Sequence, residues 1–399
     1  MKTAGIVAEY NPFHTGHAYQ ITQTKSQLGE ETAIVCAMSG NWVQGARPAM
    51  ADKWLRARLA LMGGADLVLE LPTLWAVSSA ESFAWGAVSI LNATGVVDHL
   101  SFGSECGNIQ PLQALASCLN SDQYHAQLKR FLDEGLSFAA CRQAAAETLL
   151  GKDVADLLAT PNNNLGVEYL RALDRLGSSI SPLTVRREGA GYHELAQETN
   201  TPAFRSATDL RRSIFAEAWS DIEDYLVPGA ADLLRTAPRP NADMERALLS
   251  KLRTMTAANW ALLPDSGASE GLPERLVRAA QQARSTEEFF ELAKTKRYTH
   301  ARLRRLLLWA FLGLTEADRP ERPPYLKVLG CTERGRSLLK EMKEKATLPI
   351  ITKPAHINKL DEDCRRLFEL ESRCTDLYGL FLPQIPSCGL EWSQSPVLL

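Results

Sequence analysis

Apolar residues in the first third of the chain gather into short runs, and amphipathic stretches separate them. Residues 3–8 (Thr-Ala-Gly-Ile-Val-Ala) carry no charge, the pattern of a strand buried on both faces. Residues 33–38 repeat that pattern, and residues 66–71 and 98–102 are further short strand runs, interrupted by Asp66, Glu70 and Asp98. Between them, residues 17–28, 52–62 and 79–91 predict helices. In the second of these, Trp54, Leu55, Leu59 and Met62 are spaced for one buried face. Gly63-Gly64 then ends the helix, and Pro72 closes the third strand. Alternation of this kind implies right-handed strand–helix–strand units and a parallel sheet.

The pattern changes at residue 110. Residues 110–159 read as polar, amphipathic helix, an insertion in the strand–helix series. A helix over 164–176, a strand over 180–186, a Gly-rich loop over 188–192 and a helix from Ala207 follow. Pro228, Pro238 and Pro240 mark a boundary between about 225 and 241. Beyond it the chain reads as largely helical, with a Pro/Gly-rich loop at 265–273 and a short α/β element at 325–351. The expected organisation is an α/β domain over 1–225, carrying the 110–160 helical insertion, and a mostly helical domain over 226–399. No internal repeat or low-complexity segment is visible.

A length of 399 residues fits two or three domains. Apolar residues at 45% and charged residues at 23% exclude a mostly disordered chain. Lys and Arg number 44 against 47 Asp and Glu, so the chain as a whole is no polybasic nucleic-acid binder, although a local basic face stays open. None of the eight cysteines is spaced C-x-x-C, so no zinc site is signalled, and a disulfide framework is not expected at this length. The longest clean apolar run, 306–314, is far short of the ~20 residues that span a bilayer. Residues 1–10 carry Glu9 and run straight into strand pattern, with no signal peptide. The expectation is a reduced, cytoplasmic protein without membrane contact.

The strongest candidate for chemistry is Glu9-Tyr10-Asn11-Pro12-Phe13-His14-Thr15-Gly16-His17, directly after the first strand. Pro12 fixes a turn and Gly16 allows close backbone approach. A helix N-terminus offers free N–H groups and partial positive charge, which suits phosphate. Two histidines three residues apart can both donate to phosphate oxygens and stabilise charge as an α-phosphate is attacked. The plainer alternative is a surface turn with two solvated histidines. A second segment, Arg205-Ser206-Ala207-Thr208-Asp209-Leu210-Arg211, opens a late helix. The hydroxyls of Ser206 or Thr208 suit β- and γ-phosphate oxygens there, and an ordinary N-cap explains the same residues.

His14-Thr15-Gly16-His17 resembles the H-x-G-H signature of the nucleotidyltransferase superfamily, and Arg205–Arg211 resembles its I-S-S-T-x-x-R segment. Longer segments resemble one family within it, the bacterial tRNA(Met) cytidine acetate ligases. These are Ala8 through His17, Met38-Ser39-Gly40-Asn41, Asp66-Leu67-Val68-Leu69-Glu70-Leu71-Pro72 and Phe102-Gly103-Ser104-Glu105, then Pro161-Asn162-Asn163 and Arg187-Glu188-Gly189-Ala190-Gly191-Tyr192-His193. The likeness is strong over the first half and weaker over the second.

The resemblance implies a Rossmann-like parallel α/β sheet of the HUP type with a mostly helical C-terminal domain. It implies that acetate attacks the α-phosphate of ATP, giving acetyl-adenylate and pyrophosphate. The N4 amine of the wobble cytidine of elongator tRNA(Met) then takes the acetyl group, giving N4-acetylcytidine. It also implies an ATP wrap formed by Ile6, Val7, Ala8, Glu9, Tyr10, Asn11, Pro12, Phe13, His14, Thr15, Gly16, His17, Ala18 and Tyr19, with His14 and His17 as the catalytic pair on the phosphates. Gly103, Asn162, Asn163, Arg186, Arg187, Ser206 and Thr208 complete the implied nucleotide site. Plainer readings stand beside these: a turn glycine at 103, capping by Asn162 and Asn163 of a helix from Asn164, and a solvated strand end at Arg186 and Arg187. Which Asn and which Arg makes the contact stays open. Mg2+ is expected to ride on the triphosphate, so no metal ligand is named.

One loop departs from the family. Where it reads Gln-Arg-Gly-Glu-Pro-Ala, this chain has Gln44-Gly45-Ala46-Arg47-Pro48-Ala49, so no role is carried over to it. Lys53, Arg56 and Arg58 beyond it read as solvated helix charges. The local basic face is expected at 294–305, where Lys296, Arg297, Arg302, Arg304 and Arg305 would meet tRNA phosphates and Tyr298 would stack on an unpaired base. Lys327 and Lys353 are weaker candidates. Two other readings remain: a small-molecule adenylyltransferase, which shares the histidine motif but leaves the basic segment unexplained, and a nucleotide-dependent RNA-binding module without turnover. The sequence names neither the residues that select acetate nor the oligomeric state.

Overall fold

The computed structural model describes residues 2–134, 138–187, 204–295 and 297–399. The expected Gly-rich loop at 188–192 and the Glu188–His193 part of the resemblance lie outside them, as does Lys296.

Five parallel strands form the centre of an eight-stranded sheet. Their spatial order is Leu67–Leu71, Ala33–Ser39, Thr3–Ala8, His99–Ser104, Ser181–Arg186. The chain builds outward from Thr3–Ala8 in one direction, then returns to its other side with His99–Ser104. That reversal opens a crevice beyond the carboxyl ends of these two strands, the place where open α/β sheets bind ligands.

Side chains of the central strands divide by parity between two cores. Ala33, Val35 and Ala37 face one cluster with Leu67, Leu69 and the helix Ala80–Ala93. Ile34, Cys36 and Met38 face the other with Ala4, Ile6, Val68 and the helices Lys53–Met62 and Ala207–Phe215. Period-two alternation with both sides apolar is what a doubly covered parallel sheet requires.

The sheet does not stop at residue 225. The α/β element expected at 325–351 forms as strand Leu326–Cys331, helix Glu333–Lys345 and strand Ile350–Ile351. Its first strand pairs antiparallel with Leu67–Leu71, and Val397–Leu398 adds a further edge. Helix His300–Leu312 packs into the same apolar cluster as helix Ala80–Ala93, and the Trp309 indole N–H donates to the Val77 carbonyl at 3.0 Å. Among the described residues, the 110–160 region holds the α-helices Ile109–Leu119, Asp122–Asp133, Phe138–Leu150 and Lys152–Ala155 and a 3-10 turn, Asp156–Ala159.

Three charges expected at the surface are buried instead. Lys53 Nζ lies 2.5 Å from Glu70 Oε1 and 2.7 Å from Glu391 Oε1. Lys327 joins the same two carboxylates, and the Thr375 hydroxyl donates to Glu391 at 2.7 Å. Arg56 donates to the carbonyls of Glu9, Ser39, Gly40 and Ala51. It thereby ties together the ends of the first two strands. The sequence pattern hid these residues because their partners come from strands and from the last ten residues of the chain. Among the described residues no helix is long and apolar enough to cross a membrane.

Candidate functional site

A cavity of about 250 Å3 occupies the crevice at the sheet's switch point. From the expected nucleotide site it gathers Val7, Ala8, Glu9, Tyr10, Asn11, His17, Gly103, Asn162 and Arg187. Ile6 and Phe13 are buried beneath it. Pro12, His14, Thr15, Gly16, Ala18 and Tyr19 shape the turn and first helix without lining it, so of the two histidines His17 is the one on the cavity wall, with the His14 ring behind it.

The local sequence folds the histidines into a reciprocal cap. Helix Thr15–Leu28 has His14 as its N-cap. The Gly16 N–H donates to His14 Nδ1 at 3.0 Å, and the His14 N–H donates to His17 Nδ1 at 3.2 Å. The rings lie 3.8 Å apart between centroids. Because each Nδ1 accepts, each neutral ring carries its proton on Nε2. Burial, then the charges of Arg187 and Arg211, push His14 down to about 4. Burial, His14 and Arg187 hold His17 well below the ordinary imidazole value. At neutral pH the pair is therefore two uncharged donors. A Cβ at Gly16 would sit 2.8 Å from His14 Cε1, so the glycine is required for the imidazole to take this place.

Among the described residues, two cations, Arg187 and Arg211, and one carboxylate line the crevice. Arg211 donates to the Asn11 carbonyl at 2.7 Å and to the Thr208 hydroxyl at 2.9 Å. Its burial, with Arg47 nearby, lowers it to about 10. Glu9 accepts the Gln44 N–H at 2.6 Å, and burial raises its carboxyl against the pull of that bond and of Arg56, Arg47 and Arg211. The altered loop thus brings Arg47 toward the same carboxylate.

Other expected site residues take structural duties. Asn162 and Asn163 do not precede their helix but lie in its first turn, since the helix is Pro161–Leu176. Glu105 is the group that caps it: its carboxylate accepts the backbone N–H groups of Asn162 and Asn163 at 3.1 and 2.7 Å and the Asn162 side-chain amide at 2.7 Å. Burial pushes Glu105 up, yet these hydrogen bonds outweigh it and hold its carboxyl below the ordinary value. Asn163 is buried and accepts the Cys106 N–H at 3.1 Å, so Asn162 is the one that reaches the cavity. Gly103 sits inside strand His99–Ser104 rather than after it, and a Cβ there would come 3.1 Å from Arg187 Cγ. Arg186 ends its strand beside Gly107, which leaves Arg187 on the crevice. Ser206 is the N-cap of helix Ala207–Phe215, accepting from the Asp209 N–H at 3.2 Å.

Sequence reasoning missed Gln20, Gln44, Phe83, Phe102, Leu165, Tyr169, Ala207 and Arg211 in the lining. Arg211 had a signal, as the last residue of the Arg205–Arg211 segment, and Gln20 lies three residues past His17 on the same helix. Phe83, Leu165 and Tyr169 had none, because apolar residues on amphipathic helices read as core.

The basic segment at 294–305 is only partly free. Arg302 donates to the Asp265 carbonyl at 2.7 Å and lies 3.6 Å from Glu270, and Arg305 pairs with Asp265 at 3.2 Å. Tyr298 is 5% exposed and donates to the Glu270 carbonyl, so it is not available to stack on a base. Arg297 and Arg304 are exposed. Lys327, buried among carboxylates, is not a surface contact, whereas Lys353 is exposed.

Known proteins extend this picture. A family profile described as HIGH Nucleotidyl Transferase matches residues 1–389. The tRNA(Met) cytidine acetate ligase of Thermoanaerobacter sp. (strain X514) is 35% identical over 98% of both chains. That of Caldanaerobacter subterraneus subsp. tengcongensis is 38% identical over 95% of both. The crystal structure of Thermotoga maritima TmcAL bound with alpha-thio ATP covers the whole of both chains at 34% identity, with a TM-score of 0.89. With its paired imidazoles at the switch-point crevice and these matches along its length, the chain belongs to the HIGH nucleotidyl transferase family, among the tRNA(Met) cytidine acetate ligases.

Proposed function

We propose that this chain is an ATP-dependent ligase that acetylates the N4 amine of the wobble cytidine of elongator tRNA(Met). In the first step an acetate oxygen attacks the α-phosphorus of ATP, the bond to the bridging oxygen breaks, and pyrophosphate leaves. In the second, the cytidine amine attacks the acyl carbon, AMP leaves with the electron pair, and the amine gives up a proton. The observation that carries the reading is the pair of neutral imidazoles, each with a donating Nε2–H, at a helix N-terminus beside Arg187 and Arg211. Neutral donors and fixed cations match a polyphosphate whose charge shifts during attack. No serine or cysteine nucleophile is needed, because AMP itself is the leaving group. The chain's work is to orient the carboxylate and keep water from the mixed anhydride.

His14, His17 and Arg187 are the proposed phosphate contacts, with Arg211 added from the cavity lining. No group of three or more His, Cys, Asp or Glu among the described residues is placed to hold a metal, and Glu9 Oε1 accepts the Gln44 N–H. Mg2+ carried by the triphosphate, where it would neutralise phosphate charge, is part of this reading. Arg297 and Arg304 remain proposed tRNA contacts, and a cytoplasmic location belongs to the same reading.

Incubation with ATP, labelled acetate and elongator tRNA(Met) tests it. Label on the tRNA, with AMP and pyrophosphate released, is the expected result. Absence of transfer, with pyrophosphate release stimulated by a small acceptor instead, would overturn it in favour of a small-molecule adenylyltransferase.

A further inference from the structure

We infer that the groove between helices Glu245–Thr254 and Leu272–Gln282 is an RNA-phosphate binding surface, distinct from the basic segment at 294–305. The groove encloses about 520 Å3 and is open to solvent. Arg253 and Arg278 line it, together with Met255 and Val277 as apolar residues, while the hydroxyls of Thr254 and Thr256 already donate to the Lys251 carbonyl and the Asn259 side chain. It shares no lining residue with the catalytic crevice.

Charge carries the inference. On these two helices Arg246, Arg253 and Arg278 are exposed, and none of them forms an ion pair among the described residues. Arg253 keeps one arm on the Ala283 carbonyl at 2.9 Å, which fixes its guanidinium at the groove wall. Arg246 lies seven residues before Arg253, on the same helical face. Glu274 is the one carboxylate in the lining. Glu245, the other acid of these helices, already accepts from Thr286. By contrast, Arg302 and Arg305 in the 294–305 segment are tied to Asp265 and Glu270. Uncompensated guanidinium groups beside apolar side chains suit a phosphate backbone with an unpaired base against Met255 and Val277.

The inference rests on the tRNA-modifying reading above, and the experiment separates the two. Binding of an elongator tRNA(Met) transcript is measured from 50 to 200 mM KCl for the parent chain, Arg278→Gln and the Arg253→Gln/Arg278→Gln pair. Two lost phosphate contacts should weaken binding about tenfold and lower the slope of log K against log salt by about 1.4 to 1.8. Arg278→Gln breaks no hydrogen bond of the fold and should show half of that slope change, and Arg253→Lys, which keeps the charge, should bind within about twofold of the parent. Glu274→Gln should tighten binding. Acetate-dependent pyrophosphate release without tRNA should stay at the parent rate in every variant. Parent-like affinity and slope in the double variant would overturn the surface while leaving the ligase reading intact. A parent chain that fails to bind tRNA would overturn both.

Discussion

Gly16→Ala separates catalytic geometry from stability more cleanly than removal of a histidine. The added Cβ would lie 2.8 Å from His14 Cε1 and 3.0 Å from Nδ1, inside van der Waals contact with a ring that is itself packed on His17. The imidazole must swing away, which breaks the Gly16 N–H bond to Nδ1 and misdirects Nε2–H. Losing one well-placed donor to a charge-developing transition state costs about 10²- to 10³-fold in kcat. Folding should change little. Loss of the cap costs about 1 kcal/mol, and alanine in place of glycine inside a helix returns about the same. Acetate-dependent pyrophosphate release and a urea unfolding curve, measured on the same preparation, read the two effects. The expected outcome is a kcat lowered at least 100-fold with the urea midpoint within error of the parent. Since both changes act through one ring, Gly16→Ala/His14→Ala should be no slower than His14→Ala alone. A kcat within threefold of the parent, or full additivity in the double variant, would refute the argument.

Other predictions follow from the same geometry. Native His14 refuses a proton until about pH 4, whereas the unfolded residue accepts one near 6.5, so the unfolded state binds more protons in this window. Stability should therefore fall by up to about 3 kcal/mol as pH drops from 6.5 to 4, and His14→Gln should flatten that part of the urea-midpoint profile. Arg211→Gln loses the bonds to the Asn11 carbonyl and Thr208 and should raise the KM for ATP at least tenfold; an unchanged KM would remove Arg211 from the site. Glu391→Ala strips one of two carboxylates from buried Lys53 and Lys327 and should cost about 3 to 5 kcal/mol in urea unfolding. A loss under about 1 kcal/mol there would show that water reaches the cluster.

Much of the molecule was legible in the order of its residues. Local alternation of apolar runs and amphipathic stretches is enough to define a parallel α/β unit, because burial on both sides of a strand strongly favours apolar residues. The turn after the first strand was legible for the same kind of reason. Pro12, Gly16 and two histidines three apart lie within six consecutive residues, so their geometry is local.

What only the tertiary structure decided depends on partners distant in sequence. Lys53, Arg56 and Lys327 look like solvated charges until Glu70, Glu391 and the strand-end carbonyls surround them. Asn162 is separated in role from Asn163 by Glu105 and Cys106, about 57 residues away. Arg302 and Arg305 lose their freedom to an acidic loop 30 to 40 residues upstream, and Tyr298 loses its surface. Strand Leu326–Cys331 could have founded a separate domain, yet it pairs with Leu67–Leu71 and makes one sheet from both ends of the chain. Patterning selects element type because it acts over a few residues, whereas the charge state and reach of a side chain are set by whichever groups folding brings beside it.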